Sequence, residues 1–476
     1  MKKQSAMAAL ASAAMAIPVL AQANVAPTET ALAYRYNAYA EQDYNPLALG
    51  DVTDAHPAYG IINHQYHLSG GIGKRFGYYV DYGFETLAGA SVQAAYQNGE
   101  VNGDGDIRFT GQNHLILGGA SIVESRFELA VGSRLYNDRS TVGGEGYYSE
   151  ENDYRSAGGS FDTSIDNQDQ TRTYSLGLSA YFDELTPTGS GVPVGDKPPE
   201  FQASRVDAWQ QNKLQISGFN GFSAVVNKNL LAQVGGSVTY QTGYLSDPYR
   251  HVVISCGDQC IDDPGTKNVD ESGVGGTVHY STDNRPDHRI MWTLSSGLRQ
   301  FISATEGVLH LDTRYYGDTW GVHSLTTNAA FYQRFNYQSS AKSGFSRWLA
   351  NQETSLLMAP YIRLHGQKQA NFYRLMVDPE ITNDLVGRDG NLPAAIIEGN
   401  QIVGYSDLFS SDPRLSTYGA VALGINSELS VAGVRVTAGG ELYRASGTFW
   451  GLASELQDTN GLPQYWRASA GLEYRF

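Results

Sequence analysis

The sequence predicts an all-β chain: a transmembrane, antiparallel, up-and-down β-barrel of about 16 strands, with 14 as the alternative count, joined by short turns on one side and long loops on the other. Three observations predict it. Short runs that alternate apolar and polar residues recur along the chain, the pattern of strands with one apolar face. After the N-terminal segment, no apolar run reaches the roughly 18 residues of a transmembrane helix. The last strand alternates strictly and ends the chain on an aromatic ring.

That last strand, QYWRASAGLEYRF at 464–476, sets Trp466, Ala468, Ala470, Leu472, Tyr474 and Phe476 against Arg467, Ser469, Gly471, Glu473 and Arg475. One wall is apolar with aromatic rings at both ends, which suits a strand crossing a bilayer between two interfaces. It resembles the terminal signature strand of bacterial outer-membrane barrels, so Leu472, Tyr474 and Phe476 are expected to be read by the barrel-assembly machinery.

The N-terminus, MKKQSAMAALASAAMAIPVLAQA, has a basic start, an Ala-rich apolar stretch and a small-x-small site. It reads as a secretory signal peptide over 1–23, leaving a barrel domain over 24–476. With 53 Gly, 31 Tyr and only 17% charged residues, the exported chain fits either a soluble periplasmic β protein or a barrel whose apolar residues are diluted by alternation. A net charge of −16 argues against nucleic acid as a partner.

The strands are read at 31–42, 59–72, 76–90, 121–136, 139–152, 157–166, 171–183, 210–222, 228–242, 287–302, 306–317, 320–336, 355–372, 414–429, 432–446 and 464–476. In the fourth, Val123, Phe127, Leu129, Val131 and Leu135 oppose Glu124, Arg126, Glu128 and Arg134. In the seventh, Tyr174, Leu176, Leu178, Ala180 and Phe182 oppose Thr173, Ser175, Ser179, Tyr181 and Asp183. If residue 476 ends in the periplasm, periplasmic connections should be short and outer ones long. The turns at 73–75, 137–138, 167–170, 223–227, 303–305 and 430–431 obey the rule. The segment 337–354 breaks it and reads as a short helix or plug element.

The runs YYSEENDYRS (147–156), WQQNKLQISG (209–218), GYLSDPYR (243–250), LHLDTRYYGDTWGVHS (309–324) and APYIRLHGQKQANFY (359–373) resemble, in this order, the bacterial outer-membrane proteins of the domain of unknown function 3570 family. The resemblance implies an outer-membrane barrel of a Gram-negative bacterium and no settled activity. It also implies a periplasmic redox- or metal-handling partner, because the family is associated with exported thioredoxin-like and flavin-attaching proteins.

A charged side chain on the lipid face costs roughly 2–4 kcal/mol at mid-membrane. Glu124, Arg126, Glu128, Arg134, His310, Asp312, Arg314, Arg363, Glu441, Arg467, Glu473 and Arg475 are therefore expected to line the lumen. His64 and His67, three apart, face opposite ways and cannot share a metal. Cys256 and Cys260, in CGDQC, are expected to form a disulfide in an oxidising compartment; the nearby aspartates match thiolates poorly as fellow metal ligands. NGDGD at 102–106 reads as a turn, since a calcium loop would need a closing Glu. The Ser-Asp-Pro runs at 246–248 and 411–413 read as turn starts. No G-x-S-x-G, HExxH or P-loop occurs, so no enzyme, metal or cofactor is expected, a barrel-wall hydrolase being the minor alternative. The function expected is a channel or exporter for a small hydrophilic solute or a metal- or redox-related compound. The alternative is a non-conducting scaffold for an envelope partner.

Overall fold

Alternation leaves each strand with an apolar face that one neighbouring layer cannot cover, and a closed sheet in lipid resolves this without exposing an edge. The computed structural model describes residues 25–41, 60–90, 93–97, 100–101, 107–108, 114–118, 121–186, 210–248, 251–255, 278–337, 354–374, 376–377, 394–398, 401–406, 408–452, 462 and 464–476. Sixteen strands close into one barrel. In chain order they are β1 (Ala31–Glu41), β2 (Gly60–Ile72), β3 (Phe76–Ala90), β4 (Ser121–Asn137), β5 (Ser140–Glu150), β6 (Tyr154–Asp166), β7 (Arg172–Leu185) and β8 (Gln211–Asn227). They continue as β9 (Leu230–Gly243), β10 (His288–Ile302), β11 (Gly307–Asp318), β12 (His323–Asn336), β13 (Ser355–Lys368), β14 (Tyr418–Val431), β15 (Val434–Ser446) and β16 (Gln464–Arg475).

Every strand pairs antiparallel with its sequence neighbours, and β1 closes on β16 from Ala31↔Arg475 to Glu41↔Tyr465. All sixteen expected strands are present. Their ends differ where loops are ordered: β6 starts at Tyr154 rather than 157, β13 stops at Lys368 rather than 372, and β14 starts at Tyr418 rather than 414. β8 runs on to Asn227 through a bulge at Val225/Asn227, so the turn after it is shorter than expected. The turns at the end of the barrel where β1 begins and β16 ends are tight, and Ala432 and Gly433 turn the β14–β15 hairpin with φ of 51° and 80°. Pro360 sits inside β13 without an N–H to donate; pairing with β12 is interrupted there, while the β14 side continues through Pro360↔Ile425.

The outward face is apolar. Leu178, Leu294 and Leu442 are each at least 64% exposed, and Val131, Phe161, Leu176, Leu325 and Leu423 are exposed beside them. Leu472, Tyr474 and Phe476 stand on this face at the end of β16, with the Tyr474 and Phe476 rings stacked 5.8 Å apart. In water such an exterior would be an aggregation surface; in a bilayer it is the lipid contact. Leu178→Arg is therefore expected to destabilise the folded barrel by about 2–4 kcal/mol in lipid vesicles. Denaturant titration of folding into vesicles checks this, and an unchanged midpoint would contradict the assignment of that face.

The expected signal peptide, Cys256 and Cys260, the expected turn at 102–106 and most of 337–354 lie outside the described residues. Among the outer connections, His251–Ser255 pairs antiparallel with Val278–Thr282 and parallel with Met376–Val377.

Candidate functional site

Side chains of opposite parity to the lipid face enclose a cavity of about 1620 Å³ along the barrel interior. This exceeds the roughly 300–1,000 Å³ of ordinary small-molecule clefts. Of the expected lumen residues, Arg134, Asp312, Arg314, Arg363 and Arg467 line it directly. The strand parity turns the others inward as well, but pairing withdraws several from the open space.

Arg126 is the clearest case. It is 7% exposed, with Glu128 at 3.6 Å, Glu85 at 3.7 Å and Glu151 at 3.9 Å. Glu124, Glu151 and Asp153 bring carboxylate oxygens within 4.8 Å of one another beside it. Glu151 and Asp153 stand at the β5–β6 turn, where alternation gives no facing, so the sequence pattern did not point to them. Arg126 stands on the inward-facing parity, as a buried counter-charge for an acidic cluster.

Elsewhere the fixed charges also pair along the wall. Arg134 makes a forked contact with Asp162 at 2.7 and 2.8 Å, the geometry that suits guanidinium and carboxylate. Glu441 is taken by Arg467 at 2.9 Å, Arg363 at 3.3 Å and the Tyr361 hydroxyl at 2.8 Å. Arg435 bridges Glu428 and Glu473 at 3.1 and 3.3 Å, and Arg475 holds Glu473 at 2.6 Å. His310, Asp312 and Arg314 share the inner face but not one contact. His310 stacks on Tyr332 at 4.1 Å and Asp312 pairs with Arg299 at 2.7 Å. Arg314 has no carboxylate in salt-bridge range among the described residues.

The walls differ in sign. On β11 and β13, Arg314 and Arg363 line the cavity, and Arg363 shares Glu441 with Arg467 of β16. On β3 to β5 stand Asp81, Glu85, Glu124, Glu128 and Glu145, of which Glu85 and Glu128 flank Arg126. In a closed ring of sixteen, β4 lies opposite β12, so the β3–β5 carboxylates confront Arg314 and Arg363 of β11 and β13 across the lumen.

His67 points inward to Asp81 at 2.6 Å, while His64 points outward to the Tyr34 hydroxyl at 2.8 Å. The expected opposite facing is present.

The outer mouth carries a folded cap. Leu245, Trp320, Val322, Ala370, Phe372, Tyr373, Leu415 and Leu462 form a buried apolar cluster there. Backbone bonds tie its segments together: Ala370 to Leu415, Asn371 to Trp320, and Asn284 to Phe409, at 2.8 to 3.0 Å. Arg285, 5% exposed, contacts both Asp283 and Asp412. The Ser-Asp-Pro runs do start turns, and Asp412 caps the one-turn helix Pro413–Leu415 through the Arg414 N–H. They also do more, since Asp247 accepts nothing from solvent at 0% exposure and its N–H donates to Asp283 at 2.9 Å. Burial disfavours the Arg414 charge, but Asp412 outweighs it and holds the guanidinium pKa above its ordinary value. Burial raises the Tyr244 phenol as well. Arg289 lies over the Trp320 ring at 4.1 Å and pairs with Asp318, fixing the cap to β10 and β11.

The model of the family described as "Protein of unknown function (DUF3570)" matches residues 4–476. The chain belongs to this family. No curated protein sequence matches it. Among solved structures, the DUF3570 chain is similar to a bacterial polysaccharide outer membrane secretin at 9% identity and TM-score 0.41, covering 94% of this chain and 98% of that one. It is similar to OprB of Pseudomonas putida at 7% identity and TM-score 0.34, covering 94% of each. A third is CdiB from Escherichia coli, at 9% identity and TM-score 0.37, covering 92% of this chain and 62% of that one. At these identities the likeness is one of barrel architecture and says nothing of cargo.

Proposed function

We propose that the protein is a channel in the outer membrane of a Gram-negative bacterium, giving passage to small hydrophilic solutes. The carrying observation is the cavity of about 1620 Å³, lined by charged and hydroxyl side chains among others, inside a closed barrel of sixteen strands with an apolar exterior. A barrel of this size is wide enough for an aqueous path, and its fixed charges are satisfied mainly along the wall rather than by bridging the axis. Cargo linked to metal or redox traffic, and a periplasmic partner of that kind, rest on the family resemblance alone.

A second reading, a scaffold that does not conduct, is favoured by the packed cap on the outer mouth. Ion selectivity separates the two. Arg314 lines the cavity with no carboxylate in salt-bridge range among the described residues, so it acts on passing ions. Arg314→Glu is expected to raise the cation-to-anion permeability ratio by about two- to fivefold, because a fixed charge within a few ångströms of the path is weakly screened. The reversal potential in a potassium chloride gradient measures it. An unaltered reversal potential in a conducting barrel would remove Arg314 from the path, and absence of conductance would favour the scaffold.

A further inference from the structure

Between the acidic and basic walls lies a sector of a different kind. We infer that β7 to β10 form a lane for neutral, hydroxyl-rich solutes such as sugars and polyols. The inference rests on the channel reading and names the solute class within it. Successive ranks of facing residues carry it. Ser179, Ser217 and Thr239 stand in one register row, and Gly177, Phe219, Ser237 and Thr293 in the next. Below them come Ser175, Gly221, Gly235 and Ser295. No Asp, Glu, Lys or Arg falls in these three ranks, although the rest of the inner wall is dense in them.

Two physical features fit such a solute. The hydroxyls are close-set and supply both donors and acceptors: Ser237 and Thr293 are 2.6 Å apart, and Thr239 donates to Ser217 at 2.9 Å. Each hydroxyl offers one donor and two acceptor positions, so a paired row retains capacity toward the cavity it lines. The Ser175 hydroxyl, on a residue 4% exposed that borders the same cavity, has no hydrogen-bond partner among the described residues. A passing polyol can exchange its water hydrogen bonds for these at little net cost. The second feature is space with an apolar face. The glycines of the lane leave room, and the Phe219 ring lies across Gly235, where a Cβ would meet it at 3.2 Å. An aromatic face in a hydroxyl-lined wall suits the C–H faces of a sugar ring. Within these three ranks of β7 to β10 an ion finds no counter-charge.

The test uses the full-length barrel in proteoliposomes and three solutes of matched size: glucose, gluconate and glucosamine. The variant Ser217→Ala/Ser237→Ala/Thr239→Val removes three hydroxyls without narrowing the lane. Glucose uptake is expected to fall about fivefold, the scale of one lost hydrogen bond in a barrier, with gluconate and glucosamine uptake and potassium chloride conductance unchanged. The variant Ser217→Thr/Ser237→Thr/Thr239→Ser, which keeps all three hydroxyls, should hold the wild-type glucose rate. Heat-modifiable gel migration establishes folding, and if the first variant does not fold, Ser217→Ala alone with the same readouts decides. The lane is overturned if glucose uptake falls no more than uptake of the two ions. It is also overturned, with the channel reading intact, if the wild type conducts ions but passes glucose no faster than protein-free vesicles. A wild type that passes neither ions nor solutes ends both readings.

Discussion

Arg126→Ala is expected to destabilise the folded barrel by about 3–5 kcal/mol, the cost of removing one partner from a buried ionic group. The side chain is 7% exposed, and its partners Glu85 and Glu151 are 6% and 2% exposed. Without the guanidinium, these carboxylates repel one another and Glu128 in a place water reaches poorly, and Glu124 and Asp153 add to the repulsion. They then take up protons or pull the strand ends apart. Arg126→Lys keeps the charge but loses the multiple contacts of the planar group, so it should restore only part of the loss. Denaturant midpoints for folding into lipid vesicles measure both variants. A midpoint for Arg126→Ala within about 0.5 kcal/mol of wild type would show that the cluster is solvated and that burial misassigns it.

The second large effect is local. Arg285→Ala should release the outer cap while the barrel stays folded. Arg285 is 2% exposed in its side chain and joins Asp283, before β10, to Asp412, before β14. Its removal takes a guanidinium from two buried aspartates, of which Asp412 keeps Arg414, a cost toward the low end of about 3–5 kcal/mol and confined to segments that can open without unzipping the barrel ladder. The expected result is rapid proteolytic cleavage within 408–417, with heat-modifiable migration of the barrel retained. On the channel reading, single-channel current should also grow or become noisier. A cleavage pattern identical to wild type would mean that the apolar cluster around Trp320 and Tyr373 holds the cap without the ion pairs.

These two arginines show what alternation can and cannot convey. Strand parity turned Arg126 inward from its place opposite Phe127, and lipid allows no other facing for a charge in mid-strand. Parity carries no depth or partner information, so it could not show that Glu85, on the preceding strand, and Glu151, at a turn, close over it. Arg285 lay in a stretch without periodicity, and only the Ser-Asp-Pro runs on either side of it marked ordered turns. The strand boundaries failed for the same reason. Residues 369–372 and 414–417 continue the composition of a strand, but they fold into the cap, where Ala370, Leu415 and Ser416 are almost wholly buried. The inner hydroxyls Ser175 and Ser179 were visible on one face of their strand. That four such faces adjoin is a property of the closed ring and its register, which emerges only from the assembled barrel.

The central claim is a water-filled path through the barrel, and the most direct measurement is single-channel recording of the purified, detergent-folded protein in a planar lipid bilayer. The account predicts discrete, repeated current steps on insertion, proportional to salt concentration. A bilayer that stays silent while the same preparation migrates as folded protein before heating and as unfolded protein after it would contradict the claim.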